Sequence, residues 1–420
     1  MQENNMGDFQ FETEFVNQLA RVEKKRYVQQ IKIVKTLYID GPQSTSSLCK
    51  RLKISAPNMM TILGEMLGKR IVEKKGQGKS IGGRKPDLYG VTSESFYVVG
   101  VEMGIYKTKI TLFNATNEQL TEVEEYPILL NNELDTINVI VEVINSFIER
   151  SGIDRKEVLG IGMSMPGLVD SVNGINHTYL NYDNKPVADL LEEKIGRPVF
   201  IENDAKAMAL AEFRLGCAKD KKDVLVLYLD WGIGLGMILD GKLYRGTSGF
   251  AGEFSHIPMV ENGRLCRCGR LGCVETVASG IRVLQMAEEG VKAGKSSIVL
   301  EDNDLKHRYL GLKNVIKAAL EGDQYAIGIL DETGKNLGKG ISTLIQLFNP
   351  ELIVLCGKLA ESGDLIVTPI QQGINTHAMK QISERANIVV TDFGTDIGMF
   401  GALAVIMENI FDNYIENYGG

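Results

Sequence analysis

The chain has 420 residues, too many for one ordinary domain and enough for two or three. Hydrophobic content of 44% and charged content of 24% are those of an ordinary globular chain. No run approaches the ~18 uninterrupted apolar residues of a membrane helix. Met1–Phe15 carries Glu3, Asp8, Glu12 and Glu14 and lacks the apolar core of a signal peptide, so a cytoplasmic chain with no membrane partner is expected.

The net charge of −8 argues by itself against nucleic acid, but it is unevenly spread. Between Gln18 and Gly90 stand sixteen Lys and Arg against five Asp and Glu, which leaves a head of +11 on a body of −19. That asymmetry suits a part that meets phosphate, although charge alone fits a solvated basic surface equally well.

In the head, Val22–Tyr38 has helical spacing, with Val28, Ile31, Val34, Leu37 and Tyr38 along one face. Gly41-Pro42 stops it, and Ser44 or Thr45 can cap a second short helix carrying Leu48 and Leu52. A turn through Lys53-Ile54 leads to Ser55, placed to cap a third helix from Ala56 to about Lys69 with Pro57 in its first turn. Short helix, tight turn and capped helix is the helix-turn-helix pattern, whose second member enters the major groove by its N-terminal residues. Those residues are Ser55, Pro57, Asn58, Met59 and Thr61, with Asn58 suited to an adenine edge and Met59 to a thymine methyl. The three helices alone would also fit a generic helical cap. The next stretch decides for DNA. Ile71–Lys74 and Asp87–Val91 read as two strands around the polar tip Lys75–Lys79, the composition of a wing. Gly82-Gly83-Arg84-Lys85-Pro86 then forms a basic arm in which Arg84 and Lys85 suit a narrow minor groove.

The body alternates strands and helices, an α/β pattern. Strands are expected at Tyr97–Val101, Lys109–Phe113, Val158–Met163, Pro198–Ile201, Val224–Leu229 and Ile353–Leu355, and a long helix at Ile137–Ile148. Several strands end near glycine or in loops such as Ser164–Asp170 and Glu202-Asn203-Asp204-Ala205, where phosphates and sugars are commonly held.

His256, then Cys266, Cys268 and Cys273, supply one imidazole and three thiolates. This is a full tetrahedral set for a structural Zn2+ with no open position, and Gly269 and Gly272 allow the tight backbone it needs. The other reading is a redox trio, although nothing else in the chain favours leaving three thiols so close together. Asn203, Asp204, Glu253 and Glu275 offer carboxylates and an amide that can take paired sugar hydroxyls, although each one singly reads as a helix cap or an ion pair.

Glu202–Ala205, Gly249–His256 and Cys266–Glu275, set behind such a head, resemble the ROK family of repressors and sugar kinases in its transcription-factor branch, which responds to sugars or N-acetylamino sugars. The resemblance covers about residues 20 to 410. It implies an α/β fold, a winged helix-turn-helix followed by a two-lobed actin-like (ribonuclease H-like) sugar-kinase body with sugar between the lobes. The implied divisions are a tail at 1–20, a DNA-binding head at 21–92, lobe 1 at 93–205 plus 395–420, and lobe 2 at 206–394 with the zinc site. A C-terminal helix, about Gly401–Asn413, would pack back on the first lobe. The resemblance repeats the four zinc ligands and places Gly167, Asn203, Asp204, Glu253, His256 and Glu275 at the sugar. His256 would join metal to sugar through its two nitrogens. Asp204 matches the base of the related kinases, but the phosphate loops depart from theirs. Where those kinases carry Asp-x-Gly-Gly-Thr, this chain has Glu102-Met103-Gly104-Ile105-Tyr106. Where they carry Gly-Thr-Gly, it has Asp230-Trp231-Gly232. Two bulky aromatics and an added carboxylate oppose ATP, so the expectation is a non-enzyme: a repressor of sugar-uptake or catabolic genes, relieved by a monosaccharide. It would bind a double-stranded operator as a homo-oligomer, dimer or tetramer. A sugar kinase with an accessory DNA-binding head is the rival.

Overall fold

The computed structural model describes residues 19–78, 85–183, 185–297 and 308–418. The chain divides into two units, Met1–Glu202 with Ala402–Gly420, and Asn203–Gly401.

The first unit opens with α1 (Arg21–Asp40), β1 (Gln43–Ser44), α2 (Thr45–Leu52), α3 (Ala56–Gly68), β2 (Val72–Gln77) and β3 (Asp87–Val91). Ser44 caps α2 by accepting from the Ser47 amide at 3.3 Å, and Lys53, in the left-handed region, ends that helix. The strands form a small antiparallel sheet in the order β1-β3-β2. β2 runs to Gln77, three residues beyond its expected end, because a bulge between Lys74 and Gly76 keeps it paired with β3. The predicted face of α1 is buried at Val28, Ile31, Val34 and Leu37. Tyr27 and Ile33 are buried as well, so α1 is covered on a second side.

The rest of this unit contains β4 (Tyr97–Met103), β5 (Thr108–Asn114), β6 (Glu124–Tyr126), α4 (Leu134–Arg150), β7 (Val158–Met165), β8 (Val169–Asp170), β9 (Ile175–Asn176), α5 (Val187–Ile195) and β10 (Val199–Asn203). Its main sheet has the order β10-β7-β4-β5-β6, with β4 antiparallel to β5 and parallel to β7.

The second unit follows with α6 (Asp204–Leu215), β11 (Val224–Leu229), β12 (Ile233–Leu239), β13 (Lys242–Leu243), α7 (Glu275–Ala278), α8 (Gly280–Lys292), α9 (Arg308–Leu320), α10 (Gln324–Phe348), β14 (Leu352–Cys356), α11 (Asp364–His377) and β15 (Asn387–Val390). Its sheet, β13-β12-β11-β14-β15, repeats the plan of the first: an antiparallel pair, β11 and β12, with β14 added parallel to β11. Leu227, Leu229, Ile353 and Leu355 enter one apolar cluster with Leu337, Ile341 and Ile370 of α10 and α11. The alternate residues Val224, Val226 and Val354 enter another with Met208 and Ala209 of α6. Each strand is thus buried on both faces, and this is why it reads as a continuous apolar run.

The last helix, α12 (Ile397–Tyr418), exceeds the expected Gly401–Asn413 at both ends. It is long and apolar enough to span a bilayer, but two thirds of its most apolar window is buried inside the protein. In the first unit it lies so close to β7 that a Cβ on Gly162 would sit 2.0 Å from the Ala402 carbonyl oxygen. Its far end is the second cover of α1. Phe411 meets Tyr38 with ring centroids 5.9 Å apart, Tyr418 meets Tyr27 edge-on at 6.4 Å, and Lys35 pairs with Asp412.

Candidate functional site

His256 ends a short 3-10 turn, and the three cysteines follow on a hairpin-like loop held by the Pro258–Cys273 and Leu265–Leu271 bridges. Gly272 has φ +71°, and a Cβ there would stand 1.8 Å from the Val260 carbonyl oxygen, so only glycine fits. The loop brings the ligand atoms of His256, Cys266, Cys268 and Cys273 within 4.8 Å of one another. His256 Nδ1 faces Cys266 Sγ at 3.5 Å, and Cys268 Sγ lies 3.6 Å from Cys273 Sγ. This cluster can hold a metal ion. With Nδ1 turned to the sulfurs, Nε2 is left for another partner.

Asn203 and Asp204 open α6. Asn203 caps the helix by accepting from the Lys206 amide at 3.3 Å and donates its own NH2 to Asp204 Oδ1 at 2.9 Å. Burial pushes the Asp204 carboxyl up to about 6. Hydrogen bonds from the Ala205 amide and Asn203 pull the other way, and the Glu253 carboxylate adds to the rise. Glu253 is exposed. Glu275 is buried and already engaged, with Arg267 Nε 3.0 Å from Oε1 and Nη2 3.5 Å from Oε2. Gly167, in the first unit, has φ +99° and no room for a Cβ against Thr178. Two residues of this neighbourhood were not foreseen. Lys206, buried, ties α6 to the loop after β13 by donating from Nζ to the Gly249 carbonyl at 2.8 Å. Arg267 was hidden because the residue between two metal ligands carries no spacing signal of its own.

The phosphate-loop positions differ in kind. Glu102 pairs with Lys109 at 3.1 Å, both side chains mostly buried. Tyr106 is 63% exposed, so in its own unit it fills no cavity. Asp230 is turned inward, accepting from the backbone amides of Trp231 at 2.7 Å and Lys358 at 3.3 Å. Its own carboxylate satisfies amides at a strand end, the kind of group that would otherwise hold an anion. Trp231 packs against the apolar cluster of the second unit.

In the head, Ser55 occupies the N-cap position of α3 but makes no capping hydrogen bond; its side chain is exposed, as are Pro57 and Thr61. The Thr61 hydroxyl donates to the Pro57 carbonyl at 3.0 Å. Met59 corrects the sequence reading: it is fully buried among the head helices and is not available to a thymine methyl, whereas Met60 is 54% exposed. One residue is about 100° of helix, and the apolar pattern permitted either phase. Asn58 is half-buried and engaged by Arg26 of α1. Lys85 is exposed, and Arg84 lies outside the described residues.

The chain belongs to the ROK family, whose description matches residues 98–409. It is 27% identical to the N-acetylglucosamine repressor of Escherichia coli O157:H7 over 95% of this chain and 98% of that one. It is 26% identical to the xylose repressor of Caldicellulosiruptor bescii, covering 92% and 96%. A glucokinase of Halalkalibacterium halodurans is 32% identical, over 74% of this chain and 94% of its own. Among solved structures, a ROK family transcriptional regulator described as a homologue of the E. coli MLC protein superposes with a TM-score of 0.78, at 24% identity, over 95% of this chain and 99% of that one.

Proposed function

We propose that this protein is a sugar-responsive, DNA-binding transcriptional repressor whose body senses a monosaccharide or derivative and does not phosphorylate it. The observation that carries this reading is coverage. The repressors align over 92–95% of the chain, whereas the glucokinase aligns over 316 residues, too few to include both body and head. The order α1-β1-α2-α3-β2-β3 with its three-stranded sheet is that of a winged helix-turn-helix, α3 being the recognition helix. The body is actin-like in its two sheets of one plan, and the domains are the head at 21–92, lobe 1 at 93–205 with 395–420, and lobe 2 at 206–394.

The DNA-contacting set is Ser55, Pro57, Asn58, Thr61, Arg84 and Lys85, with Met60 in the place expected of Met59. A dimer would set two recognition helices ~34 Å apart on a palindromic operator. Sugar bound by Asn203, Asp204, Glu253, His256 and Glu275, with Gly167, would change how the two heads are held. Couplings of ~1–3 kcal/mol correspond to roughly 5–150-fold in DNA affinity. The metal is a structural Zn2+ in the cytoplasm. Two thiolates ~2.3 Å from one ion in a tetrahedron lie about 3.8 Å apart, close to the 3.6 Å between Cys268 and Cys273. Zinc would tie His256 to the cysteine loop and so fix the imidazole beside the sugar.

A thermal-shift screen against neutral sugars, amino sugars, sugar phosphates and ATP, followed by DNA-binding titrations with the stabilising compound, tests the reading. Stabilisation by one sugar, with a change in DNA affinity, is expected. Stabilisation by ATP and turnover of a hexose would put the kinase reading in its place.

A further inference from the structure

The contacts of α1 with the recognition helix carry an inference that rests on the DNA-binding reading above. Arg26 of α1 spreads its guanidinium over α3. Nε and Nη2 donate to the two carboxylate oxygens of Glu65 at 3.0 and 2.6 Å, and Nη1 donates to Asn58 Oδ1 at 2.9 Å. Gln30, one turn on along α1, adds a 3.4 Å contact to the same Glu65 carboxylate. Asn58 and Glu65 are seven residues apart, two turns of helix, so one side chain of α1 grips α3 at two points of a single face.

The grip settles the orientation of the Asn58 amide. A guanidinium has five N–H donors and no acceptor, so the only atom of Asn58 it can hold at hydrogen-bond distance is Oδ1. The NH2 group then has no partner among the described residues. An unheld asparagine near the start of an exposed helix would turn either end of its amide outward; this one is held to present a donor. The Arg26 and Glu65 side chains are 27% and 45% exposed, so the pair adds modestly to folding, while its bidentate fork fixes the direction of the guanidinium.

We propose that Arg26 is a positioning residue for base readout: through Oδ1 it fixes the Asn58 amide as a donor to the base edge. On the strand it contacts, that donor matches the N7 of a purine, the O6 of guanine or the O4 of thymine. It mismatches cytosine, which shows only its N4 amino group in the major groove. Replacing Arg26 therefore costs discrimination at the one base that Asn58 reads.

The test is selection of a random double-stranded 24-bp library by the full-length protein, then by Asn58→Ala, Arg26→Met and the double variant, with sequencing of the bound pool. Arg26→Lys is run beside them because it keeps the charge and the stem while an ammonium cannot grip Glu65 and Asn58 as a fork. Expected is a wild-type motif in which cytosine is depleted at one position of each half-site, roughly fivefold or more. Asn58→Ala flattens that position alone. Arg26→Met and Arg26→Lys flatten the same one, and the double variant adds nothing further. The proposal is overturned if the Arg26 variants keep full preference there, or if they weaken every position evenly while melting as the wild type does. A wild-type protein that enriches no sequence would remove the DNA-binding reading as well, so the two failures are told apart.

Discussion

Asp204, one of the proposed sugar contacts, makes a prediction at the scale of one residue. Burial raises its carboxyl to about 6, so near pH 5 it is mostly protonated and near pH 7 mostly ionised. A sugar hydroxyl that donates to Asp204 prefers the ionised form, and binding pulls the carboxyl pKa down. The affinity for the stabilising sugar should therefore rise from pH 5 to pH 7 by about tenfold, the gain levelling above pH 7, and Asp204→Asn should bind weakly at every pH. Isothermal titration at four pH values decides it, and an affinity that falls with rising pH would mean the protonated acid is the binding form. The sign for folding is opposite. The native carboxyl holds its proton to a higher pH than the unfolded one, so its contribution to stability is lost as pH rises from about 4 through about 6. Cys268 gives a second test at this scale. It is the exposed member of the four-ligand cluster, so Cys268→Ser removes a thiolate without opening a core cavity. Zinc content by elemental analysis should fall and the melting temperature with it; unchanged metal would remove the zinc assignment. The His/Cys set was legible from the sequence because three of its members sit within eight residues, and the loop needs little else to close. The exposed methionine was not, since Met59 and Met60 are both apolar and only tertiary packing decides which one is buried.

Among the elements, the paired body strands read easily because burial on both faces leaves unbroken apolar runs. Helix α12 extends beyond the span that its sequence period marks. Its burial against two partners, β7 on one side and α1 on another, spreads its apolar residues around the helix and blurs the period that marks a boundary. The closeness of that packing makes a prediction. A Cβ on Gly162 would meet the Ala402 carbonyl at 2.0 Å and Ile406 Cβ at 3.0 Å, and neither a strand backbone nor a helix backbone can give way by that much. Gly162→Ala should lower stability by about 3 kcal/mol or more, beyond ordinary overpacking. Gly328, inside α10 with nothing within 4 Å of its would-be Cβ, is the contrasting case. There alanine should stabilise by about 0.5–1 kcal/mol through the unfolded chain and helix propensity. Calorimetric melting of the two variants separates close packing from glycine content, and equal shifts would show that α12 does not press on β7.

For the molecule as a whole, charge and coverage point the same way: a basic head suited to phosphate on an acidic body with no need of it. A DNA-binding sensor gains nothing from ATP, and the loop after β11 bears on the proposal that this body does not use it. The loop after β11 does not merely lack the small residues of a phosphate cradle. It holds an anion of its own, because the Asp230 carboxylate takes the Trp231 and Lys358 amides, and a nucleotide phosphate arriving there would meet like charge and find both donors already used. Burial raises the Asp230 carboxyl, while the amide bonds and Lys358 pull it the other way. The sequence showed the bulk of Trp231 but not this inward turn, since which way the Asp230 carboxylate points depends on the Lys358 amide, 128 residues further along the chain. Wild-type protein should therefore show no thermal shift with ATP or pyrophosphate up to millimolar levels. Asp230→Gly combined with Trp231→Thr frees the amides and removes the charge, and should gain a measurable shift with either compound while still melting cooperatively. If the double variant stays blind to both, the Asp230 carboxylate is not what excludes phosphate. If the wild type itself is stabilised, the carboxylate yields to phosphate, and the body must be assayed as a kinase with its retained Asp204 as the base.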